Sequence, residues 1–261
     1  MALPPPGERT LALVTGASSG IGEAFARKLS VRGYRVGLVA RSEDKLQALA
    51  GELGGNAEVL PCDLADAQAR DRMVAEVERR GLDVEVLVNN AGFGVYKDFA
   101  ESEREREIQQ ARINVEAVVD LTHRFLPPMI QRGRGAIVNT ASTAAFQPIP
   151  GNAGYSAAKA YVLTLSEALH EETRKAGVTV TALCPGPVHT GFQDASDAHD
   201  FAKTLPKPLW REPDEVAEAA LDGAERGKRV IVPGAPNRIS GTMARFSPRP
   251  VLLRMLRMSS S

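Results

Sequence analysis

"TLALVTGASSGIGEAFARKLSVRG", residues 10–33, decides how this chain folds. Residues 10–16 are almost wholly apolar and end on a glycine, which reads as a short buried strand. Residues 21–33 carry apolar side chains at helical spacing and stop at Gly33, a common helix terminator. Between them lie Gly16, Gly20 and Gly22. A turn rich in glycine is explained by turn geometry alone. A strand before it and a helix after it add something more. The glycines then let the backbone approach a pyrophosphate, and the N–H groups that open the helix point at its negative charge. Gly16, Ser18, Ser19, Gly20, Ile21 and Gly22 are therefore candidate phosphate contacts.

The same alternation continues outward. Strands are predicted at 35–41, 57–64, 84–92, 135–142, 178–186 and 229–234. Helices are predicted at 42–55, onward from the third strand to about Gly81, at 102–132, through Tyr155 to about Ala176, and at 213–227. Ser102 with Glu105 has the spacing of a capping box. Strands that are apolar throughout and separated by helices imply a parallel sheet covered on both faces. The expected fold is α/β: a single doubly wound, Rossmann-like domain of about seven strands, with ligands at their carboxyl ends. Residues 1–9, "MALPPPGER", read as a disordered leader, 10–234 as the domain and 235–261 as a basic tail. The tail's apolar run, "VLLRMLRM" (251–258), suits weak contact with an anionic membrane surface, or docking on its own or a neighbouring subunit.

Composition narrows the function. Lys plus Arg equals Asp plus Glu, 32 each among 261 residues, so no excess of positive charge favours nucleic acid. Cys62 and Cys184 sit in apolar runs and fit reduced, buried thiols. No stretch has signal-peptide character or the roughly 20 apolar residues of a membrane span. A cytoplasmic protein is expected. His123, His170, His189 and His199 make no metal-binding spacing, so no metal is expected.

Tyr155 and Lys159 fall in "GNAGYSAAKAY" (151–161), one helical turn apart on one face. On most helices such a pair is a solvated stripe. A cation roughly 6 Å from a phenol, at an effective dielectric near 20, would lower its pKa by about two units. Four stretches bear on the choice: "TGASSGIG" (15–22), "NNAG" (89–92), "YSAAK" (155–159) and "PGPVHT" (185–190). In order and spacing they resemble the short-chain dehydrogenase/reductase family over about residues 10–234, in particular a bacterial NADP-dependent branch. The resemblance implies a catalytic tetrad of Asn114, Ser142, Tyr155 and Lys159. Tyr155 would exchange a proton with the substrate oxygen and Ser142 would donate a hydrogen bond to it. Lys159 would supply charge and hold the nicotinamide ribose. Asn114 would kink its helix and hold a water that links Lys159 to solvent. The resemblance also places Asp63 near adenine, Asn90 near the adenosine ribose, and Pro185, Gly186, Val188 and Thr190 around the nicotinamide. Taken alone, Asp63 is an Asx turn and Asn90 a structural amide.

The second predicted strand ends "GLVARSED" (37–44), with Ala40 where NAD-binding folds carry an acid, followed by Arg41. An arginine there suits a 2′-phosphate, so NADP is expected, with NADPH preferred over NADH. Arg41 could instead cap the strand and stack on adenine. Phe93, Val95, Tyr96, Ala144, Phe146 and Phe192 are expected to line a mostly apolar pocket. The lid candidate is 191–210, where Asp194, Asp197 and Asp200 oppose Lys203 and Lys207. The expected activity is hydride transfer between NADP(H) and a hydrophobic ketone, aldehyde or secondary alcohol. A binding protein that senses NADP(H) without chemistry is the alternative. The resemblance further implies a homodimer or homotetramer built partly on the helices at 102–132 and 152–176.

Overall fold

A computed structural model describes residues 3–196, 198, 203, 205–250 and 253. Seven parallel strands run in the order β3-β2-β1-β4-β5-β6-β7. They are β1 (Thr10–Thr15), β2 (Arg35–Ala40), β3 (Ala57–Pro61), β4 (Asp83–Asn89), β5 (Gly135–Thr140), β6 (Val178–Leu183) and β7 (Val230–Ile231). Strands β1, β5 and β6 are buried at every position, as a sheet covered on both faces requires. The order reverses between β1 and β4, and a crevice opens there at the carboxyl ends.

One face of the sheet packs on α1 (Gly20–Val31) and α2 (Glu43–Glu52), and also on α8 (Pro213–Glu225). The other packs on α3 (Ala67–Arg79) and α5 (Ala117–Arg132), with α6 (Ala153–Thr173) over β5 and β6. The expected strands and helices are thus present, with some boundaries moved. The last strand, expected over 229–234, pairs only at Val230–Ile231.

The long helix expected at 102–132 is divided. It comprises α4 (Arg104–Ala111), a π-helical turn (Arg112–Glu116) and α5. The turn is wider by one residue, which shifts the phase of the helix at Asn114. The Ser102–Glu105 capping box does not form. Glu103 occupies the N-cap, and the Ser102 hydroxyl donates to Phe99 O at 3.0 Å. Arg70, 3% exposed, braces the π-turn from α3. It donates to Leu64 O at 2.6 Å, Glu116 Oε1 at 2.5 Å and Asp120 Oδ2 at 2.6 Å. This links the segment after β3, which carries Asp63, to the turn that carries Asn114. Arg70→Met keeps most of the packing but leaves Leu64 O and Glu116 without their donor. It is expected to lower unfolding free energy by about 2 kcal/mol in a denaturant titration.

In the leader, expected to be disordered, Leu3 and Pro4 are buried against the domain while residues 5–9 are exposed. Leu3 is 9% exposed, and the Tyr34 hydroxyl donates to Pro4 O. Three prolines already restrict this segment, so ordering it loses little entropy. Residues 235–246, expected as part of a tail, form α9 (Ala235–Phe246), which packs on the body of the domain. The apolar run 251–258 lies outside the described residues, except Leu253. In the lid candidate, α7 (Phe192–Ala195) is formed, whereas Asp197, Asp200 and most of 199–204 lie outside the described residues. Among the described residues no helix is long and apolar enough to cross a membrane.

Candidate active site

A cleft of about 610 Å³ opens at the reversal of strand order. The β1–α1 turn forms its floor, and Gly16, Ser18, Ser19, Gly20 and Ile21 line it. Ser19 caps α1 without using its side chain, so its hydroxyl is not engaged by the helix. Gly22 lies just behind. A Cβ there would sit 2.1 Å from Gly16 O and 2.7 Å from Asn90 Nδ2, so only glycine lets α1 approach the turn so closely. The free N–H groups that begin α1 therefore open into the cleft.

Arg41, Asp63 and Asn90 line the same cleft. Arg41 is exposed just beyond β2 and has no ion-pair partner among the described residues. Asp63 Oδ1 accepts from Ala65 N at 3.0 Å, which is an Asx turn. Asn90 Nδ2 donates to Thr15 O at 3.2 Å and ties β1 to the end of β4. Both residues hold structure while facing the cleft. The loop after β6 contributes Pro185, Gly186, Val188 and Thr190. A Cβ at Gly186 would lie 2.3 Å from Asn237 Oδ1 of α9.

Ser142, Tyr155 and Lys159 meet at the centre. Ser142 Oγ accepts from Ala144 N at 3.1 Å, and its proton is directed at the Tyr155 phenol in the cleft. Tyr155 and Lys159 share one face of α6, with Lys159 Nζ 5.6 Å from the Tyr155 ring centroid. Lys159 Nζ donates to Thr140 O at 2.7 Å. Burial pulls the Lys159 ammonium down from the ordinary 10.5 to about 8. Burial also raises the Tyr155 phenol, and the neighbouring Tyr96 adds to the rise, while a hydrogen bond with Ser142 opposes it. The expected fall in the phenol's pKa is not seen in the protein alone: burial dominates, and Lys159, itself lowered to about 8, has lost its charge before the phenol titrates.

Asn114 is fully buried at the π-turn and lies behind the cleft wall. Its Nδ2 donates to Phe93 O at 2.7 Å, while Oδ1 has no hydrogen-bond partner among the described residues. A Cβ at Gly92 would lie 2.3 Å from Asn114 Oδ1 and 3.5 Å from Lys159 Nζ, so both groups crowd the same glycine.

The outer cleft is largely apolar. Phe93, Tyr96, Ala144 and Phe192 line it as expected. Val95 and Phe146 do not. Asn152 and Gln110 clamp the Val95 backbone at 3.0 and 2.7 Å, and Phe146 is covered by Gly241 of α9. The lid is pinned where Gly94 N donates to Ser196 Oγ at 2.9 Å. The Phe192 ring sits 5.7 Å from that of Tyr155. Burial holds the Tyr96 phenol up at about 12.

Several lining residues were not anticipated. Leu209, Trp210, Ser240, Gly241 and Ala244 come from the region read as lid and tail. Arg106, Gln109 and Ile113 come from the first turns of the helix expected at 102–132. The spacing 106-109-113 places them on one helical face, so a signal was present in the sequence. His189 stacks on Trp210 with centroids 4.6 Å apart.

The residues fit a dinucleotide. They provide a glycine cradle at a helix start, a basic side chain beyond β2 and a loop over the centre. The family model described as short chain dehydrogenase matches residues 10–200. An uncharacterized oxidoreductase of Staphylococcus epidermidis is 33% identical over 187 residues, which is 72% of this chain and 81% of that protein. The solved short-chain dehydrogenase from Sphingobium yanoikuyae in complex with NADPH superposes with a TM-score of 0.77 at 32% identity, covering 92% of this chain and 96% of that one. A 3-ketoacyl-(acyl-carrier-protein) reductase from Brucella melitensis complexed with NADH gives 0.78 at 29% identity, covering 87% and 96%. The family model spans residues 10–200 and the relatives cover most of the chain, so the chain belongs to the short-chain dehydrogenase family of oxidoreductases.

Proposed function

We propose that this protein reduces an apolar ketone or aldehyde with NADPH, using Tyr155 as the proton donor. The observation that carries this reading is the meeting of Tyr155, Ser142 and Lys159 at the centre of a mostly apolar cleft. The nicotinamide cofactor, when bound, supplies the hydride. The rest falls to the chain. Burial keeps the Tyr155 phenol protonated at neutral pH, so it holds a proton at Oη for the carbonyl oxygen. The Ser142 hydroxyl donates to the same oxygen, where negative charge develops. Below pH about 8 Lys159 is charged and stabilises the phenolate that remains after transfer. Asn114 Oδ1, a buried acceptor beside Gly92, suits a water that would return a proton through Lys159. Phe192, Tyr96, Leu209 and Trp210 exclude water around the substrate carbon. A panel of apolar ketones and aldehydes tests the reading by NADPH consumption. Tight NADPH binding with no turnover on any of them would favour a cofactor-sensing protein instead.

Arg41 supports the choice of NADPH. It is exposed beside the cleft without an ion-pair partner among the described residues, and Ala40 puts no acid against a 2′-phosphate. Ser42 caps α2 without using its hydroxyl, which is left for the same phosphate. A charged hydrogen bond to phosphate contributes about 1.5–3 kcal/mol. Arg41→Ala is therefore expected to weaken NADPH binding by roughly ten- to a hundredfold and to leave NADH nearly unchanged. Fluorescence titration of both cofactors checks this. Equal affinities in the unmodified protein would overturn it.

A further inference from the structure

The outward face of α9 is apolar. Ile239, Met243 and Phe246 are 63, 66 and 78% exposed. Their spacing places them in one stripe along the helix. The opposite face is the one that packs. Asn237 donates to Leu209 O at 2.9 Å and Pro233 O at 3.1 Å, and Gly241 lies against the Phe146 ring. The helix is thus anchored by polar and small residues and shows its large apolar side chains to solvent, the reverse of an ordinary surface helix. Single exposed apolar residues need no explanation, but a continuous stripe marks an interaction site.

Charge indicates what covers it. Arg238 and Arg245 stand two turns apart on one flank of the stripe, and Arg249 follows the helix. Arg245 reaches Glu167 at 3.4 Å, whereas Arg238 and Arg249 have no ion-pair partner among the described residues. Residues 235–261 hold five arginines and no acid. Because the whole chain is neutral, the remainder carries a net charge of −5. A two-fold contact between copies would set this patch against itself, with no acid in the segment to meet the arginines. An anionic lipid surface satisfies both the stripe and the flank.

We propose that α9 docks this protein on an anionic lipid surface, with Ile239, Met243 and Phe246 in the interface and Arg238, Arg245 and Arg249 at the headgroups. The inner face of the same helix, through Ser240, Gly241 and Ala244, lines the cleft. Docking therefore sets the mouth of the cleft beside the apolar layer. Membrane-dissolved carbonyl compounds would enter from there, a consequence that rests on the proposed reaction, whereas the docking itself does not.

Co-sedimentation of the full chain tests the docking directly. Vesicles of phosphatidylglycerol and phosphatidylcholine in equal parts should bind it at least about tenfold more tightly than phosphatidylcholine alone, and added salt should erase that difference. The triple variant Ile239→Ser, Met243→Ser, Phe246→Ser should lose about a hundredfold in vesicle affinity, with its thermal midpoint and its mass in solution unchanged. The proposal is overturned if the unmodified chain ignores anionic vesicles or if the triple variant binds them equally well. A triple variant of lower mass in solution would also overturn it, because a second copy would then cover the stripe. None of these readouts depends on turnover, so failure of the proposed reaction would be seen separately.

Discussion

Replacing Tyr155 by phenylalanine is expected to lower kcat by about a thousandfold, within the range for loss of a positioned proton donor. The substitution removes one oxygen and keeps the ring, so the contacts to Phe192 at 5.7 Å and Tyr96 at 6.3 Å survive. NADPH affinity and the thermal midpoint should stay close to those of the unmodified protein. Steady-state kinetics, a cofactor titration and a melt on the same preparation check the three together. A variant that keeps more than a few per cent of turnover would show that the proton comes from elsewhere.

Lys159→Met should act in opposite directions on activity and stability. Turnover should fall by a hundredfold or more, because no cation remains to stabilise the phenolate. Stability should rise. The Lys159 ammonium titrates at about 8 in the folded protein and near its ordinary 10.5 when unfolded. Between those values the unfolded chain binds the extra proton, so the unmodified protein gains stability as pH rises through this window. Below about pH 8 the folded state carries the full penalty of a buried charge, about 3 kcal/mol. Methionine removes that penalty but leaves Thr140 O without its donor, which costs about 1 kcal/mol. The net gain at neutral pH is then about 2 kcal/mol. Urea titrations at neutral and alkaline pH should show the difference shrinking as pH rises. In the unmodified enzyme, carbonyl reduction should decline as pH climbs through about 8, where Lys159 loses its charge. A stability difference that stays constant with pH would mean that Lys159 is not depressed in the fold.

The sheet and the centre of the site were legible in the sequence for different reasons. Strands such as β1 and β6 are buried on both faces, so their apolar runs identify them without tertiary information. Gly16, Gly20 and Gly22, with Tyr155 and Lys159, are read through spacing, because a tight turn and one helical turn each fix geometry over a few residues. The π-turn at Asn114 left no such trace. Its wider turn is held by Arg70, forty-four positions earlier in the chain, and the helix residues themselves look unremarkable. The pKa directions at Tyr155 and Lys159 were equally hidden. They depend on how completely the site is dried, which no local spacing reports. Residues 235–246 read as a basic tail, since their buried side is made of Asn237 and Gly241 rather than large apolar groups.

Helix α9 divides the cleft by position in the sequence. The glycine turn, Ser142, Tyr155 and Lys159 all lie before residue 190, whereas one wall of the cleft is made by Ser240, Gly241 and Ala244, joined to the body through the short β7. A nascent chain still lacking α9 would hold those residues but lack that wall, and Gly186 would lose the Asn237 side chain that packs against it. On the proposed reaction, α9 is expected to shape which carbonyl compounds fit, while the reacting groups stay with α6 and the end of β5.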